Sequence, residues 1–201
     1  MSWEELLEQY SVIWKYPERG FHAAYSLNNC HSDFYFNSDY LMSQPKLLRE
    51  ACTALAKSLT PNYAVPEWLI TYPPYGMNVG FCLAENLGCR LAYIRSLESP
   101  ELNFDIASTA SVMFCADDLY TGGSYEKVRL ALAGAGVNLM TPLMVLANFS
   151  GDSKFRGHDV VSLIKKTINL WEEDECPLCK AGSTALPARK NWTKLLESGE
   201  T

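Results

Sequence analysis

The chain has 201 residues and is 48% apolar, 20% charged and 12% aromatic, enough to bury one sizeable globular core. Seventeen Lys and Arg against twenty-three Asp and Glu leave a formal charge of −6, so no broad basic surface is available to neutralise a nucleic-acid backbone. Any anion the protein binds must therefore be held by local geometry and not by net charge.

Residues 1–14 carry three Glu and no basic segment ahead of an apolar run, which argues against a secretory signal and for a cytoplasmic protein. Ser2 and Glu5 form a capping box, and Trp3, Leu6, Leu7, Tyr10, Ile13 and Trp14 follow at helical spacing. This predicts a first helix to about Trp14, closed by Pro17 and Gly20. Residues 21–40 are aromatic and loosely alternating, predicting short extended segments and a loop. A second helix is predicted from about Pro45 to Leu59, with Leu48, Cys52, Leu55, Ala56 and Leu59 as its apolar stripe. Short buried strands are expected at Trp68–Thr71, Leu91–Ile94, Ser111–Ala116, Leu143–Ala147 and Val160–Ile164. Between the first two, the turn Tyr72-Pro-Pro-Tyr-Gly76 leads into a helix that Gly88 ends; a further helix runs from Ser124 to Ala133.

The uncharged run Leu130–Ser150 is long enough for a membrane span, but Gly134, Gly136, Asn138 and Pro142 break it into helix end, turn and strand. No membrane association is expected. Strand and helix alternating in this way predict an α/β fold with a mostly parallel sheet covered by helices on both faces. The chain is read as one domain: an N-terminal helix and hood over 1–40, an α/β core over 41–170, and a polar tail over 171–201.

In an open parallel sheet, ligands collect outside the carboxyl ends of the strands. The segment that stands out there runs Val112-Met-Phe-Cys-Ala-Asp-Asp-Leu-Tyr-Thr-Gly-Gly-Ser124. Gly122 and Gly123 let successive backbone amides converge on a phosphate, and the following helix adds its positive dipole end. Thr121 and Ser124 add hydroxyl donors. Asp117 and Asp118 accept hydrogen bonds and suit sugar hydroxyls beside that phosphate. A phosphorylated ribose fits this set. Neither GxxxxGK[ST] nor GxGxxG occurs, which counts against a P-loop or a dinucleotide fold. The bland alternative is a tight strand-to-helix turn with an acidic cap.

This strand, acid pair and Thr-Gly-Gly-Ser turn resemble the phosphoribosyl-diphosphate signature of type I phosphoribosyltransferases. His31-Ser-Asp-Phe-Tyr-Phe-Asn37 and the helix at 45–59 are similar to the N-terminal region of the orotate enzymes, and the resemblance extends over roughly residues 20–182. It implies an α/β core with a small hood, working as a homodimer on phosphoribosyl diphosphate and a nucleobase. Magnesium would arrive bound to the diphosphate. Asp117 and Asp118 take the catalytic position, and Thr121, Gly122, Gly123 and Ser124 the phosphate. Tyr75 and Gly76, at the position of the family's diphosphate turn, join Arg95 as diphosphate contacts. Phe34 and Phe36 are candidates to stack on a flat base, although alternating aromatics serve as core equally well. His31 is either a site residue or a structural hydrogen-bonding residue.

The chain also departs from the family. Orotate enzymes carry a hood lysine and other cations ahead of the signature strand, yet Ser96–Glu126 contains no Lys or Arg. The family's orotate-recognising lysine falls at Asn28-Asn29, and an arginine falls near Asn148–Ser150. A catalytically silent, phosphoribosyl-diphosphate-binding regulatory protein is therefore the alternative reading.

Of seven cysteines, five are scattered, several of them in apolar runs where a reduced thiol serves as a small hydrophobe. Cys176-Pro-Leu-Cys179 has the form of a zinc knuckle and also resembles the tail of a subset of orotate enzymes. Structural zinc needs four ligands, so this pair would have to be completed by His158 or across a dimer axis. Free thiols or a redox pair are the alternative, and no metal is assigned.

Overall fold

The computed structural model describes residues 1–25, 30–59 and 61–198. Contacts divide the chain into two compact units, one of Met1–Leu41 with the chain from Thr167 onward, the other of Met42–Lys166.

The first unit opens with α1 (Trp3–Gln9), whose capping box is present: Ser2 N–H donates to Glu5 Oε2 at 2.7 Å and Glu5 N–H to Ser2 Oγ at 3.2 Å. The helix is shorter than its apolar spacing predicts. Tyr10 caps it and Ser11 turns through a left-handed φ of 55°. Ile13 and Trp14 then enter β1 (Ile13–Lys15), as suits a β-branched and aromatic run. Strands β2 (Phe21–Tyr25), β3 (Cys30–Ser32) and β4 (Phe34–Phe36) follow, then α2 (Ser38–Met42). β1 pairs antiparallel with β4, and β2 with β3.

The second unit holds α3 (Pro45–Leu59), β5 (Trp68–Thr71), α4 (Tyr75–Leu87), β6 (Arg90–Tyr93), β7 (Val112–Leu119), α5 (Gly123–Gly134), β8 (Leu143–Asn148), β9 (Lys154–Phe155) and β10 (His158–Lys165). They form a six-stranded sheet in the order β6-β5-β7-β8-β10-β9, in which β9 alone is antiparallel to its neighbour. Short apolar strands joined by helices favour parallel pairing, and β6, β5, β7, β8 and β10 all pair in parallel. On one face α4 packs against β5, β6 and β7, and α3 against α4, β8 and β10. Gly80 permits the close approach of α4, since a Cβ there would lie 2.8 Å from Leu91. Tyr125, Val128 and Leu132 of α5 pack with Phe114, Val112 and Val145. β8 is buried along its whole length, whereas β10 is mostly half-buried because only the two-residue β9 lies outside it.

The chain returns to the first unit through α6 (Pro177–Lys180), β11 (Thr184–Pro187), a 3-10 turn (Ala188–Asn191) and α7 (Trp192–Glu197). β11 adds to β2 in parallel register, with Ala185 opposite His22. Trp14, Ala23, Tyr35, Ala188, Trp192 and Leu195 form this unit's core. The Trp14 indole donates to Leu195 O at 2.9 Å. Among the described residues no helix is long and apolar enough to cross a membrane.

Candidate active site

Among the parallel strands, taken in chain order, the sheet runs second, first, third, fourth, fifth. The direction of crossover therefore reverses between β5 and β7, where open sheets bind ligands at the carboxyl ends. Tyr72 leaves the end of β5 and Asp117 stands near the end of β7. The Tyr72 hydroxyl donates to Asp117 Oδ1 at 3.2 Å, and both side chains are buried. Burial pushes the Tyr72 phenol well above its usual range, and the charges of Asp117 and Asp118 add to it; the Ser124 hydroxyl opposes them. Tyr72 also stacks on Phe114, with ring centroids 6.3 Å apart and planes 14° from parallel. Sequence reasoning missed Tyr72, whose signal was its place directly after a strand that the topology sets beside β7.

β7 ends three residues later than predicted, at Leu119, so Asp117 and Asp118 lie within the strand and not in the loop after it. Consecutive strand residues point to opposite faces, and Asp117 is buried while Asp118 is half-buried. The chain then turns through Tyr120, Thr121 and Gly122 into α5, which begins at Gly123. Gly122 is the N-cap, with a left-handed φ of 75° and no side-chain cap bond. The first amides of any helix lack intrahelical partners, so those from Gly123 onward converge at this turn. A Cβ on Gly122 would lie 2.2 Å from the ring of Phe155, whereas one on Gly123 would meet nothing within 4 Å. One glycine is thus packed against an aromatic ring and the other faces open space.

Tyr75 and Gly76 form the first turn of α4 and not, as the sequence suggested, the end of a loop. A side chain at Gly76 would collide with Thr71 Oγ1 at 2.1 Å, which explains the glycine. Arg95 follows β6 and is exposed; its amide donates to Glu101 O at 2.8 Å. The segment between β6 and β7 is tied to the edge of the sheet. Tyr93 N–H donates to Asn103 Oδ1 at 2.7 Å, Ile94 bridges Leu102, Phe104 lies against Trp68, and Ile106 is buried. At the end of β8, Asn148 Nδ2 donates to Asp152 O at 2.7 Å, and its Oδ1 accepts from Ser150. An uncharged amide organises the loop where the family resemblance implies an arginine. Asn28 and Asn29 lie outside the described residues.

Phe34 and Phe36 are buried in β4 of the first unit. His31, in β3, is buried too, and the backbones of His31 and Trp171 exchange two hydrogen bonds of 2.7 and 2.9 Å. Cys176 and Cys179 meet His31 and His22. His158, proposed from the sequence as their partner, belongs instead to β10, against Tyr125. His22 was missed, and His31 was singled out but not as a partner of the cysteines, because their approach depends on strand pairing and not on a local motif. The remaining cysteines match their reading as small hydrophobes best at Cys52 and Cys115, where burial raises the thiol pKa strongly.

No protein-family model matches the chain. It is similar to the orotate phosphoribosyltransferase of Acidithiobacillus ferrooxidans, with 26% identity over 181 residues covering 86% of this chain and 92% of the relative. Its fold is that of the crystal structure of orotate phosphoribosyltransferase from Aeropyrum pernix, with a TM-score of 0.64 at 20% identity over 80% of this chain and 92% of that one. The adenine phosphoribosyltransferase of Trypanosoma brucei, solved with AMP, pyrophosphate and ribose-5-phosphate, is similar in fold, with a TM-score of 0.58 at 14% identity over 94% and 91% of the two chains. The fold is therefore α/β of the type I phosphoribosyltransferase kind, with a mostly parallel sheet flanked by helices.

Proposed function

We propose that the protein is a phosphoribosyltransferase that moves ribose 5-phosphate from phosphoribosyl diphosphate to a nucleobase. The observation that carries this is the Gly122–Gly123 turn at the start of α5, set beside the buried Tyr72–Asp117 pair at the switch point of the sheet. The similarity to orotate phosphoribosyltransferases over most of the chain supports it.

In this reading the amides and hydroxyls of Thr121–Ser124 bind the 5-phosphate, where the helix N-terminus favours an anion. Asp117 and Asp118 accept from ribose hydroxyls. The bond from the anomeric carbon to diphosphate breaks and a bond to the base nitrogen forms, with diphosphate as leaving group. Positive charge grows on the ribose, and a carboxylate fixed nearby stabilises it without reorganising. Tyr72 holds Asp117 in place by its hydrogen bond. Tyr75, Gly76 and Arg95 receive the diphosphate. Magnesium would enter held by the oxygens of the diphosphate and would offset the negative charge growing on that leaving group. Phe34 and Phe36 are assigned to the base on condition that a ring face is uncovered when it binds. The enzyme works as a cytoplasmic homodimer.

Orotate carries a carboxylate, which is costly to desolvate without cationic or multiple donors. None of the family's cations is found across Ser96–Glu126 or at Asn28, Asn29 and Asn148. A neutral base is therefore the better acceptor. The same absence, together with the pinned segment between β6 and β7, favours a second reading in which phosphoribosyl diphosphate binds without turnover. Diphosphate release measured with phosphoribosyl diphosphate, magnesium and a panel of bases separates the two. Release that requires a base supports the enzyme, and binding without release supports the silent protein. Rapid turnover of orotate would overturn the specificity argument.

A further inference from the structure

We propose that His22, His31, Cys176 and Cys179 form a tetrahedral zinc site that ties the C-terminal segment to the β2–β3 hairpin. The four ligand atoms lie within 4.8 Å of one another, all inside the first unit. Zn–N bonds of about 2.0–2.1 Å and Zn–S bonds of about 2.3 Å at tetrahedral angles place N and N about 3.3 Å apart and N and S about 3.6 Å apart. His22 Nε2 stands 3.2 Å from His31 Nδ1, and 3.6 and 3.5 Å from the sulfurs of Cys176 and Cys179. Cys179 Sγ stands 3.3 Å from His31 Nδ1. These four of the six ligand pairs have the spacing of a shared ion.

Hydrogen bonding alone accounts poorly for this cluster. A ring nitrogen has one in-plane lone pair or one hydrogen, yet His22 Nε2 faces three partners at once. The second nitrogen of the same ring fixes which form is present. Ser183 Oγ donates its hydrogen to Gly20 O at 2.8 Å, so at its 2.9 Å contact it accepts from His22 Nδ1–H. Nε2 is thereby left with its lone pair aimed into the cluster. A ligating imidazole held by an outer hydrogen bond is the usual arrangement around zinc. Two nitrogens and two sulfurs in a tetrahedron select zinc over magnesium or calcium, which require oxygen and higher coordination.

The fold supplies a reason for the ion. The first unit is built from strands of three to five residues and helices of four to seven residues, too short to bury a large core. Its N-terminal and C-terminal segments meet through the pairing of β11 with β2, the His31–Trp171 bridge, the packing of α7 and the 3-10 turn on the N-terminal strands, and scattered side-chain hydrogen bonds such as Asn169 Nδ2 to Asp33 Oδ2. A metal joining residues so far apart in sequence would tie the C-terminal segment to the hairpin.

The test is the metal content of the full chain purified with reductant, by atomic emission. About one zinc per chain is expected, falling at least tenfold in Cys176→Ser/Cys179→Ser. Two further measurements decide independently of how that variant folds. Exchange of the wild-type chain into cobalt should give the visible bands of tetrahedral cobalt and a sulfur-to-cobalt charge-transfer band, both abolished by equimolar zinc and unaffected by excess magnesium. Ser183→Ala keeps all four ligands and should weaken zinc binding about 10–100-fold. Less than one zinc in ten chains and no cobalt bands, with both thiols reduced, would overturn the proposal. So would a Cys176–Cys179 disulfide that forms in air equally fast with and without zinc, which would make the pair a redox pair.

Discussion

Gly122→Ala and Gly123→Ala separate the structural and the binding roles of the turn into α5. At Gly122 the φ of 75° is left-handed, and an L side chain there costs roughly 1–2 kcal/mol. The added methyl would also enter the ring of Phe155, 2.2 Å away, and crowding of this kind costs about 1–3 kcal/mol more. Swinging the half-buried Phe155 ring aside would break its edge-on contact with buried Tyr125, whose centroid lies 5.6 Å away. Gly122→Ala should therefore destabilise the fold by about 2–5 kcal/mol in urea denaturation. The φ part must persist in a Phe155→Ala background while the crowding part disappears, which a double-mutant cycle resolves. At Gly123 a Cβ meets nothing and the residue is helical, so alanine should be neutral or stabilising by up to about 1 kcal/mol. The same methyl projects into the space assigned to the phosphate. Calorimetric titration with phosphoribosyl diphosphate should show at least a tenfold loss of affinity, about 1.4 kcal/mol. Unchanged stability in Gly122→Ala would refute the packing argument. Unchanged affinity in Gly123→Ala would refute the phosphate assignment.

Tyr72→Phe removes a buried donor from a buried carboxylate and should cost about 1.5–3 kcal/mol in urea denaturation at pH 7. The Tyr72 phenol titrates higher when folded than when unfolded, so the folded state holds the proton longer. The resulting stability is fully present below the unfolded value of about 10 and is lost as pH rises above it. Between pH 8 and 11 the wild type should lose stability more steeply than Tyr72→Phe; parallel curves would contradict the assignment. Light scattering at micromolar concentration should give a dimer of about twice the 22.5 kDa chain mass, and a strict monomer would count against the proposed assembly. Asn148→Ala leaves Asp152 O and the Ser150 groups without their partner and should cost about 1–3 kcal/mol by thermal or urea unfolding.

Elements whose signals are local were legible in the sequence. Pro45 at a first turn and a clean apolar stripe give α3 its bounds, and the run Trp68-Leu-Ile-Thr71, three apolar residues and a β-branched one, gives β5 its own. Helical spacing across Ile13 and Trp14 misled, because the same residues suit a strand and the left-handed turn at Ser11 carries no glycine to announce it. β7 was cut short at Ala116 because two aspartates look like loop, yet Asp117 is accommodated in the buried strand by the Tyr72 hydroxyl. The turn at Gly122 and Gly123 was readable as a motif. The Tyr72–Asp117 pair and the approach of His22 and His31 to the two cysteines were not, since each depends on register between strands distant in sequence.

The account rests on the Asp117–Ser124 segment as a phosphoribosyl site, and a crystal structure of the chain with phosphoribosyl diphosphate and magnesium tests that most directly. The 5-phosphate should lie against the amides and hydroxyls of Thr121–Ser124, with ribose hydroxyls toward Asp117 and Asp118 and the diphosphate toward Tyr75, Gly76 and Arg95. A ligand bound elsewhere, or a turn that stays without ligand under saturating phosphoribosyl diphosphate, would contradict it.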